Sequence, residues 1–246
     1  MKNQYFGDVG DYGKYGLLRF LAKRGVTIAV NWYLTPDDRS SDGNIRGYLE
    51  NDKNRKYDPD LFDVLREMNN QNEKNVARFA EREMIPGAIY FDALVRPLES
   101  EQTLSLTNKR SAREQWRQQA LAGCSGQDLV FMDPDNGLRA GAPTARKDAQ
   151  KFVYATEACR FYKQDQDVVY YCHKGRRTDS QWEKAKRIMR EYCPDAAMLG
   201  VTFHRGTQRS YIFVVHPDKE SFYRNLLTNF LKTEWKDCCS EEPVDH

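Results

Sequence analysis

The sequence predicts an α/β protein with a doubly wound, mainly parallel sheet that closes with a C-terminal antiparallel hairpin. Short apolar runs alternate with segments of helical periodicity along most of the 246 residues, and this alternation is typical of parallel sheets covered by helices on both faces. The last two apolar runs, 197–203 and 211–215, are separated by a connection of hairpin length, which predicts an antiparallel pair.

Four earlier apolar runs are predicted to be buried parallel strands, because such strands are apolar on both faces. They are residues 26–30, 88–91, 129–132 and 168–172. The region of about 39–85 is polar, with helical periodicity from Pro59 onward, and we interpret it as a helical insertion. The predicted organisation is a single domain over residues 1–235 and a polar C-terminal tail over 236–246.

The composition indicates a soluble chain, with 40% hydrophobic and 30% charged residues. No apolar run approaches the roughly 18 residues that a membrane-spanning helix needs. The first residues lack the basic and apolar segments of a signal peptide, so a cytoplasmic protein is expected. The six cysteines are scattered without a Cys-x-x-Cys pair, which favours reduced thiols over a metal site or disulfides.

The strongest site signal is the segment 128–138, where an apolar run stops at Asp133, Pro134 and Asp135. In open α/β sheets, ligands bind at the carboxyl ends of the strands, so both carboxylates are candidate catalytic groups. Asp37 follows the first predicted strand and Asp92 follows the second. The alternative is that these aspartates only form turns and cap helices.

An N-terminal helix is predicted through Leu17, Leu18 and Leu21, with Asp11 as its N-cap. Glycine is unfavourable in a helix, yet four glycines precede Leu17. They predict a close approach to a neighbouring segment or a ligand, and the alternative is a mobile N-terminal turn.

Clustered basic residues predict contact with nucleic acid. Arg110, Arg113 and Arg117 fall on one face of a predicted helix, although a merely solvated face would give the same spacing. A second set lies at strand ends or in the final hairpin and would border the edge that carries Asp133. Its members are His173, Lys174, Arg176, Arg177, His204, Arg205 and Arg209.

The segment 7–15 resembles the Gly-Asn-x-x-Asp-x-x-Lys-His signature of the bacterial ribosomal RNA adenine-N6 methyltransferases, which carry an Asp-Pro-Pro-Tyr motif. Gly7, Asp11 and Lys14 match that signature, and Asp133-Pro134 follows the strand where the family keeps its motif. The resemblance implies a class I methyltransferase-like fold, S-adenosylmethionine as cofactor and nucleic acid as substrate.

In this family the motif Asp accepts a hydrogen bond from the target amine, a role that the resemblance gives to Asp133. The resemblance also implies that five residues lie near the cofactor: Gly7, Asp11, Lys14, Asp37 and Asp92. Within the signature, Asp8 and Tyr15 stand where the family has Asn and His. The chain departs from the family in three further respects. Asp135 replaces a proline, Asn136 replaces the aromatic residue that stacks on the base, and no glycine-rich loop follows the first strand.

Two alternatives stay open. The segment 133–137 also resembles the Asp-Pro-Asp-x-x-Gly segment of Toprim domains, which implies a nuclease or phosphodiesterase with Mg²⁺ or Mn²⁺ held by Asp37, Asp133 and Asp135. Lys174 would then neutralise phosphate charge during catalysis. The Toprim pattern requires a glutamate on the first strand, which instead ends at Asn31. The second alternative is a nucleic-acid-binding protein without catalysis.

Overall fold

A computed structural model of the chain describes residues 1–38, 43–95, 106–144, 148–206 and 208–244. The strands in these residues are β1 (Ile28–Asn31), β2 (Ile89–Phe91), β3 (Leu129–Met132), β4 (Leu138–Arg139), β5 (Val153–Tyr154), β6 (Asp167–Cys172), β7 (Ala197–Phe203), β8 (Arg209–Val215) and β9 (Cys239–Glu241). Seven of them form one sheet in the order β2-β1-β3-β6-β8-β7-β9, and the two short strands β4 and β5 pair with each other.

The four predicted parallel strands lie side by side in this sheet. β1 pairs in parallel with β2 and with β3, and β3 pairs in parallel with β6. β8 is inserted between β6 and β7 and runs antiparallel to both, which confirms the hairpin. One expectation was wrong in degree: β2 is only half-buried, because it lies at the edge of the sheet.

Helices cover both faces of the sheet. Alternate residues of each central strand enter different cores: Leu129 and Phe131 join one, while Val130 and Met132 join the other. The α-helices are α1 (Val9–Ala22), α2 (Pro59–Asn70), α3 (Val76–Glu81), α4 (Leu106–Gly123), α5 (Ala155–Tyr162), α6 (Asp179–Lys186) and α7 (Glu220–Phe230). Among the described residues, no helix combines the length and apolarity required to cross a membrane.

The N-terminal helix starts earlier than the sequence predicts. Asp8, and not Asp11, is the N-cap of α1, because its side chain accepts a hydrogen bond from the Gly10 N–H. Asp11 lies in the first turn of the helix and is buried. The cap therefore leaves the Asp11 carboxylate available for a different contact inside the protein.

Three of the N-terminal glycines allow close packing of α1, as one of the two alternatives predicted. A Cβ atom on Gly10 would lie 2.2 Å from Arg209 Nε, and one on Gly16 would lie 2.2 Å from Trp235 Cζ2. A Cβ atom on Gly13 would lie 2.7 Å from the ring of Phe203. These residues recur every three positions on one face of α1, so that face presses directly against C-terminal segments of the chain.

The predicted helical insertion lies between β1 and β2 and includes α2 and α3. Two 3₁₀ segments, Gly47–Glu50 and Asp52–Lys56, precede α2. Pro59 is the first residue of α2, and the Asp58 side chain caps this helix by accepting from the Leu61 N–H. Residues 39–42, where the predicted insertion begins, lie outside the described residues.

The C-terminal segment differs from the predicted polar tail over 236–246. Cys239–Glu241 form β9, which pairs antiparallel with β7 at the edge of the sheet. Glu242 is buried and its Oε1 lies 2.8 Å from Lys186 Nζ. Burial of Val244 extends the packing. The charged composition concealed this role, because the polar groups of the segment find partners inside the protein.

Alkaline unfolding is expected from the buried tyrosines. Burial raises the pKa of five buried tyrosine hydroxyls well above their usual value, namely those of Tyr15, Tyr33, Tyr48, Tyr170 and Tyr211. A phenol that titrates higher in the folded state stabilises the fold below its unfolded pKa of 10.0, and this contribution falls as the pH rises further. Urea titrations should therefore show stability falling above about pH 10. Phenolate absorbance of all tyrosines appearing before unfolding would contradict this expectation.

Candidate functional site

A pocket of about 100 Å³ lies at the carboxyl end of β3, beside the first turns of α1. Its lining comes from four parts of the chain: the N-terminal segment with α1, Gly43 between β1 and α2, the residues that follow β3, and the facing ends of β6 and β8. The side chains with chemical interest are Asp8, Asp11, Lys14, Asp133, Asp135, Tyr171, Arg209 and Tyr211. This is the edge of the sheet where the sequence predicts a ligand site.

Lys14 connects the N-terminal motif to the central carboxylate. Its Nζ lies 2.6 Å from Asp133 Oδ2 and 2.7 Å from Asp11 Oδ1. The other oxygen of Asp11 accepts a hydrogen bond of 2.9 Å from the Gly7 N–H. Gly7, Asp11, Lys14 and Asp133 thus form one continuous chain of contacts, although Lys14 and Asp133 are 119 residues apart in sequence.

Burial and charge act in opposite directions on this cluster. Burial raises the pKa of Asp11, the Lys14 ammonium opposes that rise, and the carboxylate of Asp133 adds to it, so the net direction is upward. Burial lowers the pKa of Lys14, but the carboxylates of Asp11 and Asp133 outweigh it and the net pKa is raised. Lys14 is therefore a fixed ammonium at neutral pH and does not act as a neutral base.

A second ion pair closes the pocket on the side of β8. Arg209 Nη2 lies 2.6 Å from Asp8 Oδ1, which also accepts a hydrogen bond of 2.8 Å from the Gly10 N–H. The other oxygen of Asp8 accepts from the Ile45 N–H at 3.0 Å. The end of β8 is thereby tied to the first turn of α1.

Asp135 belongs to a separate group of acceptors. Its Oδ1 lies 2.8 Å from the Met1 ammonium, and its Oδ2 accepts a hydrogen bond of 3.3 Å from the Thr35 hydroxyl. The same ammonium donates to the backbone carbonyls of Asp133, at 2.9 Å, and Tyr33, at 3.2 Å. Three oxygens from two segments of the chain thus converge on a single nitrogen.

The turn after β1 is closed by its own side chains. Trp32 and Tyr33 are buried, and Tyr33 has a φ of +44°, a conformation that a non-glycine residue rarely adopts. The Trp32 ring packs edge-on against Tyr15, with ring centroids 5.8 Å apart, and the Lys14 Nζ lies 5.3 Å from its centroid. Aromatic rings therefore occupy the turn where the family that the sequence resembles keeps its glycine-rich loop.

Two of the predicted cofactor residues lie outside this pocket. Asp37 and Asp92 are exposed and do not line it, and an Asp37 carboxylate oxygen accepts from the Gln4 N–H at 3.0 Å. Asp133 and Asp135 face different ammonium groups. In the described ranges, no group of three or more His, Cys, Asp or Glu side chains is arranged to hold a metal ion.

The second set of predicted nucleic-acid residues mostly contacts other parts of the protein. Lys174 pairs with Asp179, and Arg177 Nη1 donates to the His173 carbonyl at 2.7 Å. His204 Nε2 lies 2.7 Å from Ser240 Oγ, and Arg205 donates to the Asn54 side chain and the Tyr57 hydroxyl. Arg176 is exposed, and of this whole set only Arg209 lines the pocket.

The predicted arginine stripe on α4 divides into two kinds of residue. Arg113 is buried and pairs with Glu157 through two contacts of 2.7 Å, so it does not lie on the nucleic-acid-facing surface that the sequence predicts. Arg110 is exposed. Arg113 points inward because its guanidinium pairs with the buried Glu157 carboxylate on α5.

Sequence reasoning did not assign a role to several pocket residues. Asp8 was visible only as a departure from the family signature, and Arg209 only as a member of a basic set. Tyr171 and Tyr211 lie in strands whose alternation predicts burial but not a site. Their register as a cross-strand pair brings both rings to the pocket, and that register depends on the sheet.

Comparisons with known proteins do not identify the chain. No family model matches it, and no curated protein matches it. It is similar to a solved structure, that of protein LPL1258 from Legionella pneumophila str. Philadelphia 1, described by family-model DUF519. The two chains are 10% identical, 96% of each is covered, and the TM-score is 0.43. Similarity at this level carries no argument about function.

Proposed function

We propose that this protein is an S-adenosylmethionine-dependent methyltransferase-like enzyme that acts on an amine of a nucleic acid. The observation that supports the proposal is the contact chain from Gly7 through Asp11 and Lys14 to Asp133. The family resemblance singled out these four residues from two distant parts of the sequence. Their direct contact at the carboxyl end of a parallel strand is what a shared site requires.

The acceptors around Asp133 suit an amine substrate. A nitrogen that is to be methylated has its N–H groups held by oxygens, and this leaves its lone pair directed at the methyl donor. The carbonyl of Asp133 and the carboxylate of Asp135 already converge on one nitrogen, that of the Met1 ammonium. Lys14 is a positioning residue here, because its contact fixes the direction of the Asp133 side chain.

The charges in the pocket fit the proposed cofactor. S-adenosylmethionine supplies an electrophilic methyl group on a sulfonium and also carries an amine, a carboxylate and ribose hydroxyls. Asp8 and Asp11 offer acceptors for its cationic and hydroxyl groups, and the guanidinium of Arg209 suits its carboxylate. Trp32 and Tyr33 fill the turn after β1, so α1 supplies this binding surface in place of a glycine-rich loop.

Asp133→Asn is expected to lower methyl incorporation from labelled cofactor by about a hundredfold or more, because a neutral amide does not stabilise the positive charge that develops on the methylated nitrogen. Asp135→Asn is expected to be milder, because it keeps the Asp133 carboxylate. Both variants keep the Lys14–Asp11 contact, which favours a folded site. Urea denaturation of each variant provides the folding control.

The same two variants test the metal-dependent alternative. If a metal held by both carboxylates were the catalyst, either substitution would abolish cleavage of a labelled nucleic acid in Mg²⁺ or Mn²⁺ to a similar degree. That result, or calorimetry without binding of S-adenosylhomocysteine at millimolar concentration, would overturn the proposed function.

A further inference from the structure

A second cavity, of about 310 Å³, lies between α4 and α5 and shares no lining residue with the pocket at Asp133. Trp116 and Ala120 of α4 pack into the same core as Ala155 and Ala158 of α5. α1, which borders the Asp133 pocket, packs into the other core. The helices that border the two cavities therefore cover opposite faces of the sheet. The charged residues that line the second one are Arg110, Arg113, Glu114, Arg117, Glu157 and Arg160.

The acidic groups in this groove are already neutralised. Glu157 pairs with Arg113 through two contacts of 2.7 Å, and Glu114 pairs with Arg117. Arg110 and Arg160 remain: both are exposed, and neither forms an ion pair with an acidic side chain in the described part of the chain. The groove therefore carries two uncompensated positive charges.

The arginines repel one another in the absence of a further anion. Burial and the neighbouring Arg160 guanidinium lower the pKa of Arg117. One buried nitrogen of Arg117, Nη1, has no hydrogen-bond partner among the described residues. An adjoining cavity shares Arg110 and Arg113 with the groove and adds Lys109 to its basic lining. An anion between the helices would reduce the repulsion among the arginines and offer a hydrogen-bond acceptor to Arg117 Nη1.

We propose that the α4–α5 groove is a phosphate-binding site, in which Arg110 and Arg160 hold a phosphate group from opposite helices. The guanidinium group suits this role because its planar set of donors matches phosphate oxygens. The phosphate belongs either to a nucleic acid backbone or to a small phosphorylated molecule. The site deepens the proposed function if the ligand is nucleic acid, but it does not depend on the chemistry at Asp133.

The test compares two double variants that remove equal charge. Arg110→Gln/Arg160→Gln changes the groove, while Arg78→Gln/Arg224→Gln removes two exposed arginines of α3 and α7. Binding of inorganic pyrophosphate and of a short single-stranded oligonucleotide is measured by calorimetry over a salt series. The groove variant is expected to lose about tenfold or more in affinity, and its salt slope for the oligonucleotide to fall by about one unit, because one phosphate contact is lost.

The two ligands separate the sources of the phosphate. Loss confined to the oligonucleotide assigns the groove to a nucleic acid backbone, and loss confined to pyrophosphate assigns it to a small molecule. Equal losses in both double variants, or no binding of either ligand to the unaltered protein, would overturn the phosphate site. Asp133→Asn should retain this binding, so failure of the proposed methyl transfer leaves a separate result.

Discussion

Replacing Lys14 by methionine is expected to lower the free energy of unfolding by about 3–5 kcal/mol. The side chains of Asp11 and Asp133 are 8% and 7% exposed, and Lys14 is the cation that both of them contact. Methionine fills a similar volume but leaves two buried negative charges close together. Urea denaturation at neutral pH measures the loss, and an unchanged m value would show that the unfolding transition is the same.

The pH dependence of the stability of the Lys14→Met variant tests whether the two buried carboxylates cause this loss. A carboxyl group with a folded pKa above its unfolded value is disfavoured as the anion, so its cost diminishes as the pH falls and the group takes up a proton. The difference in the free energy of unfolding between the variant and the unaltered protein should therefore become smaller at acidic pH. Lys2→Met is the matched control: Lys2 is equally buried, but its partner Asp38 is 45% exposed to water. A control loss as large as that of Lys14→Met would contradict the argument.

Arg113→Met is also expected to destabilise the protein by about 3–5 kcal/mol, because it leaves the Glu157 carboxylate buried without its cation. Arg113 Nη2 also donates to the Phe152 carbonyl at 3.1 Å, and that acceptor would lose its partner. Arg110→Met, one turn earlier on α4, is the control. It should change stability by no more than about 0.5 kcal/mol, because Arg110 is exposed.

The variants at Arg110 and Arg113 also distinguish a role in binding from a role in stability. Arg110→Met should weaken phosphate binding without affecting the unfolding curve, whereas the effect of Arg113→Met should appear in the unfolding curve first. A stable Arg113→Met variant that had lost only ligand affinity would restore the interpretation of Arg113 as a surface contact. It would also mean that the Arg113–Glu157 pair contributes little to the fold.

The central strands were predictable because their sequences carry the information locally. Leu129–Met132 is apolar throughout and is followed by Asp133 and Pro134, so both its extent and its burial follow from composition. β9 was not predictable in this way. Its residues are polar, and Cys239 is held in the sheet by pairing with Phe203 of β7, a partner that no local pattern identifies.

The sequence predicts which residues form the candidate site better than it predicts how they are arranged. Asp11, Lys14 and Asp133 were all named from motifs, but their mutual contact depends on how α1 lies across the sheet. Asp92 was named because it ends a strand, yet β2 is at the sheet edge and Asp92 faces solvent. Strand order therefore decides which terminal carboxylates meet, and no local sequence pattern reveals the strand order.

The glycine face of α1 has a consequence for the order of folding. α1 lies against Phe203, Arg209 and Trp235, and the Asp8–Arg209 contact spans 201 residues. Loops this long close late, because their entropy cost must be met before the contacts that they enable can form. A nascent chain that has not yet reached Arg209 thus holds its N-terminal motif without the surface on which it packs, and the pocket cannot be completed before Arg209 has been synthesised.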